Sequence, residues 1–186
     1  MHAKWLNTLS YLENCGARKI AACEHPTLVK EEMLKHASEE FRHAFHLKKQ
    51  IERIPSLSLD DYSIHNLLGD YASLHYLHAL DIKTCRYLSE EVKLQKNKVK
   101  ETAYLLVTYA IELRADELYR IYDEVLKTAN TKVTVKSILL EEKEHLNEMI
   151  LGISLLENGQ LYAEEVCLIE GGLCRKWLNS ISSLII

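Results

Sequence analysis

The sequence predicts an all-α protein, a bundle of long helices in a single domain covering residues 1–186. Three observations carry this. Two prolines and six glycines are few for 186 residues, and long stretches contain neither, which removes the usual helix breakers. Apolar residues recur at alternating spacings of three and four in segment after segment, the period of a buried helical stripe. The length and the 47% apolar content supply one sizeable core.

Composition narrows the function classes. The net charge is −4, and acidic and basic residues alternate along the helical segments. No basic run points to nucleic acid, and no uninterrupted apolar stretch is long enough for a membrane span. Met1-His2-Ala3-Lys4-Trp5 puts charge and polarity where a secretory leader needs an apolar run, so a cytoplasmic location is expected. Cysteines 15, 23, 85, 167 and 174 are odd in number and contain no Cys-x-x-Cys. A zinc ribbon, a rubredoxin-type iron site and a disulfide framework are not expected; reduced, mostly buried thiols are.

The elements follow in order. Residues 3–23 read as a first helix whose stripe is Leu6, Leu9, Glu13, Gly16 and Ile20. Pro26 suits the first turn of a second helix over 27–53, with Met33, Glu40, Leu47 and Ile51 in the stripe and Ile54-Pro55 as its stop. Residues 55–62 read as a loop, from which Asp60, Asp61 or Ser63 caps the next element. A third helix over 64–92 presents Leu67, Tyr71, Leu74, His78, Cys85, Leu88 and Val92, and at 1.5 Å per residue spans roughly 40 Å. Lys93 to Lys98 read as a polar connection. A fourth helix over 99–128 carries Leu105, Thr108, Glu112, Ala115, Tyr119, Tyr122 and Leu126. After a turn with Thr131 as N-cap, a fifth over 132–157 carries Val135, Ile138, Glu142, His145, Met149, Gly152 and Leu156. Asn158-Gly159 is a stop. A last amphipathic segment covers 161–185, with Gly171-Gly172 as a candidate kink. The apolar Leu184-Ile185-Ile186 end is expected to pack on the bundle or on a second copy in a homodimer.

Two stretches stand out. Ser38-Glu39-Glu40-Phe41-Arg42-His43 and Leu140-Glu141-Glu142-Lys143-Glu144-His145 share the form Glu-Glu-x-x-His. Residues three apart lie on one helical face, so each Glu-x-x-His aims a carboxylate and an imidazole at one point. A lone copy is an ordinary salt-bridging surface pair. Two copies, each in the apolar stripe of its helix and each preceded by another stripe glutamate, are not ordinary. Glu13 precedes Glu40 by 27 residues and Glu112 precedes Glu142 by 30. This weak internal repeat is reconciled by a longer turn around 128–132. Carboxylates in an apolar stripe are costly unless paired or bound to metal. Four of them with one imidazole per ion make a nitrogen/oxygen set suited to two iron ions, or iron and manganese. Glu24 competes with Glu13 but lies close to a turn, and Glu117 competes with Glu112 from another face.

On these motifs residues 3–53 and 99–157 resemble the ferritin-like di-iron carboxylate superfamily, which includes rubrerythrins, bacterioferritins, reductase small subunits and several hydroxylases. The resemblance implies a ferritin-like four-helix bundle with a long helical crossover, the third helix, and an extra C-terminal helix. It implies metal ligation by Glu13, Glu40, His43, Glu112, Glu142 and His145. Glu40 and Glu142 would bridge or chelate, His43 and His145 would each bind one ion, and Glu13 and Glu112 would be terminal ligands. Leu47 and Met149, four residues after the motif histidines, stand where a typical reductase small subunit has its radical tyrosine, and no rubredoxin-like tail is present. Glu112-x-Arg114-x-x-Glu117 with Tyr119 faintly resembles a tRNA-modifying hydroxylase, although the acidic balance does not favour tRNA.

Other residues are candidates for a supporting shell: His36, one turn before Glu40; Asp116, one turn after Glu112; Tyr119; and His78 on the inner face of the third helix. The expected function is a non-haem di-iron or iron/manganese oxidoreductase that activates dioxygen or peroxide. An organic substrate would require an apolar pocket that reaches the ions, lined from the third helix. Ferritin- or rubrerythrin-like chemistry, with iron or peroxide as substrate, and a metal-free helical interaction protein are the alternatives.

Overall fold

The computed structural model describes residues 1–54 and 59–183, and they are all-helical. Six α-helices follow one another: α1 His2–Cys23, α2 Glu31–Ile51, α3 Asp70–Arg86, α4 Lys96–Thr128, α5 Lys136–Ser154 and α6 Gly159–Ser182. A 3-10 turn, Ile64–Asn66, precedes α3, and a π-turn, Tyr87–Glu91, ends it. Helix α1 packs along α2 and α4 along α5, while α3 and α6 pack on each other and both lie against α4. No helix of the described residues is long and apolar enough to cross a membrane.

The apolar stripes are interrupted at one level. On α1 the buried Leu6 and Leu9 lie before Glu13 and Ile20 after it; on α2 Met33 and Ala37 lie before Glu40 and His43, and Leu47 and Ile51 after them. On α4 Leu106 and Ala110 precede Glu112 and Tyr119 and Tyr122 follow it; on α5 Ile138 precedes Glu142 and His145, and Ile153 follows. Apolar layers therefore flank a polar layer built from four helices. At 25 cal/mol per Å² of apolar surface, those layers supply the energy that holds the polar one together.

The far side is held by aromatic and ionic contacts. Trp177 of α6 stacks between Trp5 and Tyr76, with ring centroids at 5.8 and 5.4 Å, and its indole N–H donates to Ser73 Oγ at 2.7 Å. Arg114 of α4 clasps the buried Glu170 of α6 through Nε at 3.0 Å and a terminal nitrogen at 2.8 Å. The Tyr76 hydroxyl also donates to Glu170.

Several expectations are corrected. The third helix does not run unbroken over 64–92. Gly69 at φ 79° and Asp70 at φ 45° turn the chain where α3 begins, and a Cβ on Gly69 would stand 2.8 Å from Ser180 Oγ. Its buried face is Ser73, Tyr76, Leu77, Leu80 and Thr84, whereas Tyr71 and His78 are exposed. Helix α2 starts at Glu31, so Pro26 lies in the connection, and α5 starts at Lys136 with Val135, not Thr131, at its N-cap. Helix α4 starts at Lys96, inside the expected polar connection. The connections 24–30 and 129–135 are equally long, so the unequal repeat spacing comes from where all four glutamates sit on their helices and not from a longer turn. Helix α6 continues through Gly171-Gly172 without being split. Asn158 takes the left-handed conformation at φ 58°, and a Cβ on Gly159 would run into the carbonyl oxygen of Ile153. Of the five free thiols only Cys174 is buried. Asp61 does tie the 3-10 turn, accepting from Ser63 N and Asn66 Nδ2, each at 2.8 Å. Pro55, part of the 55–62 loop, and the Leu184-Ile185-Ile186 end lie outside the described residues.

Candidate metal centre

Each helix of the α1/α2 and α4/α5 pairs delivers side chains to the polar layer. They fall into two groups of potential metal ligands, His36/Glu40/Glu112/His145 and Glu13/Glu40/His43/Glu142, with the ligand atoms of each group within 4.8 Å of one another. Glu40 belongs to both. The structure thus brings together all six residues singled out from the two motifs and adds His36. All are buried except Glu13, which is partly so.

The imidazoles are aimed by carboxylates on the opposite pair. Nε2 of His43, on α2, donates to Glu141 Oε2 on α5 at 2.8 Å. Nε2 of His145, on α5, donates to Glu39 Oε2 on α2 at 2.8 Å. The first glutamate of each Glu-Glu-x-x-His therefore serves the other motif's histidine. In the neutral ring, with Nε2 carrying the proton, Nδ1 faces inward as a lone pair, the tautomer a metal needs. His43 Nδ1 lies 3.0 Å from Glu142 Oε1 and His145 Nδ1 lies 3.4 Å from Glu40 Oε1. None of these four buried atoms makes a hydrogen bond among the described residues. His36 Nε2 stands 3.0 Å from Glu112 Oε1 and 3.5 Å from Glu40 Oε1, and its ring lies 4.1 Å from that of His145. Glu141 is further clamped by Arg42, at 2.8 Å.

Electrostatics show what the cluster wants. Burial, with the Glu40 and Glu142 carboxylates beside it, pushes Glu13 well above the usual carboxylate range. Burial and Glu112 push Glu142 up as well. Burial and the nearby Glu142 act to raise Glu40, yet the His145, His36 and Glu13 side chains beside it outweigh both and hold it at about 2. The histidines move the other way. Burial lowers them, yet the surrounding carboxylates win and raise His36 and His43 to about 9 and His145 further. Without metal, imidazolium protons neutralise the carboxylates. A divalent cation supplies the same charge by taking the inward lone pairs that those protons occupy, so the donor set and the unbonded buried atoms fit two ions of the kind that accept mixed nitrogen and oxygen ligands.

The expected supporting residues divide. The Tyr119 hydroxyl donates to Glu13, so Tyr119 touches the centre. His36 stands within it and not behind it. Asp116 does not reach it; both its oxygens are taken by Arg120, at 2.9 and 2.7 Å. His78 is exposed because the buried face of α3 is rotated from the one expected. Periodicity puts Glu39 outside the stripe of α2, and the sequence signal for Glu39 and Glu141 is the doubled glutamate in each motif.

A cavity of about 730 Å³ opens beside the centre. Glu40 and Glu112 line its inner end, and apolar residues of α1, α3 and α4, among them Ile20, Leu77, Ala103, Val107 and Ile111, line its walls. Gly16 lies where a Cβ would stand 3.8 Å from Glu40 Oε2. Comparison with protein-family models, with curated proteins and with solved structures finds no match for this chain.

Proposed function

We propose that this protein is a non-haem di-iron, or iron/manganese, oxidoreductase of the ferritin-like type that uses dioxygen or peroxide to oxidise a small organic molecule. The observation that carries the reading is the pair of ligand groups sharing Glu40, with unbonded Nδ1 atoms on His43 and His145. Two helix pairs, each giving one glutamate and one Glu-x-x-His, are the arrangement by which ferritin-like bundles hold two ions. When bound, such ions supply electrons to an oxidant and a positive charge that stabilises reduced oxygen. The protein's own part is to hold them. His36, Glu40, Glu112 and His145 would hold one ion, and Glu13, Glu40, His43 and Glu142 the other, with Glu40 common to both groups. Glu39 and Glu141 keep the imidazoles in the ligating tautomer, and Tyr119 orients Glu13.

The cavity favours an organic substrate over iron or peroxide alone. Iron and peroxide need only a narrow polar path, whereas a cavity of about 730 Å³ is the size that encloses a small organic ligand. A metal-free interaction protein is disfavoured by the buried unbonded nitrogens and oxygens, which are costly unless something binds them.

Elemental analysis of protein purified without chelator tests this, beside a His43→Ala/His145→Ala variant. About two iron or manganese ions per chain, lost in the variant, are expected. Absence of metal from the wild type, even after anaerobic loading with ferrous iron, would overturn the proposal. Oxygen consumption by the reduced, loaded protein is the second readout.

A further inference from the structure

The cavity has a polarity along its length. Its inner end is formed by Glu40 and Glu112, and its other end lies at the start of α4, where Lys96 and Lys100 line it. The stretch of α4 between Lys96 and Glu112 rises about 24 Å. Between them the walls are mostly aliphatic, with Tyr104 and Thr108 among them. At the outer end Lys19 is engaged by Asp81 at 2.7 Å. Lys100 reaches only the carbonyl oxygen of Ala22, at 3.3 Å, and among the described residues Lys96 and Lys100 form no ion pair. They sit one turn apart, exposed, in the first turns of the longest helix, whose N-terminal end adds positive potential. The π-turn after α3 brings Ser89 to the same rim.

We propose that the cavity binds an unbranched aliphatic carboxylate, with its carboxylate on Lys96 and Lys100 and its tail running inward to Glu40 and Glu112. This rests on the reading of the cavity as the substrate site and names the class of substrate. Charge fixes the orientation. Four glutamates surround the centre, so even two divalent ions leave no surplus positive charge there to draw an anion inward, while the unpaired lysines are at the rim. The apolar walls select the tail, and a cationic head group would be repelled at the rim.

The test is isothermal titration of the full chain, with and without loaded metal, using dodecanoate, octanoate and dodecylammonium, with metal content measured on the same samples. One dodecanoate per chain is expected, bound more tightly than octanoate, because each further buried methylene tightens binding by up to about fourfold. Dodecylammonium should bind at least about tenfold more weakly, since it meets like charge at the rim. Lys96→Glu/Lys100→Glu, with an unchanged melting temperature, should abolish that preference. Val107→Phe, which fills the inner half, should weaken dodecanoate and leave octanoate bound. Equal affinity for the anionic and cationic amphiphiles, unchanged binding by the charge-reversed variant, or no saturable binding would overturn the proposal. Two metal ions per chain with no carboxylate binding would sink this inference alone. Head-group-selective binding to a protein that takes up no metal would sink the di-metal reading and leave the ligand class standing.

Discussion

Glu39 on α2 accepts a hydrogen bond from Nε2 of His145 on α5 at 2.8 Å, and so sets which nitrogen of that ring faces the centre. Glu141 does the same for His43 in the opposite direction. The two motifs are therefore interlocked, each completing the other's imidazole. Replacing Glu39 with Gln keeps the shape but removes the charge. We expect metal affinity to fall by about 10- to 100-fold, the usual effect of losing an outer carboxylate, with the fold retained. A competitive chelator titration followed by circular dichroism checks both parts.

His36 makes the two groups unequal: one contains two imidazoles, the other a single one. His36→Leu should leave about one ion per chain tightly held and release the other to a mild chelator. Elemental analysis before and after dialysis measures this. Equal loss of both ions would show that His36 acts on the centre as a whole.

Tyr119 is fully enclosed, and its hydroxyl is given to Glu13. Tyr119→Phe leaves the partly buried Glu13 carboxyl without this donor. Metal-free protein should lose about 1–3 kcal/mol of unfolding free energy, read by urea denaturation. The loss should shrink on loading, because metal then takes over Glu13.

The histidines make metal-free stability depend on pH. His36 and His43 have their values raised from 6.5 to about 9 in the fold. A raised value means the folded state holds the proton more tightly than the unfolded chain. That contribution is complete below about pH 6.5 and is lost as pH rises through about 9. Metal-free protein should therefore denature more easily at pH 9.5 than at pH 6. Metal uptake should release protons and strengthen as pH rises, since metal needs those imidazoles neutral. Denaturation midpoints at the two pH values, and proton release in weak buffer, test the pair of statements.

Glu170 is 3% exposed and holds Arg114 and Tyr76 at once. Glu170→Ala should cost about 2 kcal/mol by stranding the buried Tyr76 hydroxyl, while Arg114 keeps Glu117, and should leave metal content unchanged because the network lies outside the ligand groups. Thermal melting with elemental analysis separates the two effects.

The sequence by itself determined the helical class and the six principal ligand candidates. Low glycine and proline content and an unbroken three-four period force helix, and a glutamate or histidine recurring in an apolar stripe must point inward with its neighbours. Glu13, Glu40, His43, Glu112, Glu142 and His145 were legible for that reason. What one helix shows its neighbour was not. His36 is one turn from Glu40 on the same face, and only the approach of α4 and α5 brings it within 3.0 Å of Glu112. Glu39 and Glu141 lie beside their stripes, so whether they meet solvent or the opposite pair depends on how α2 and α5 are rotated about their axes. The same rotation turned His78 outward, and local pairing with Arg120 engaged Asp116. Periodicity specifies the inward side of a helix to within about one residue; the rotation between helices is set by packing against partners distant in sequence. The cavity is likewise tertiary, because its walls come from α1, α3 and α4, and no single stretch of chain encodes the space between them.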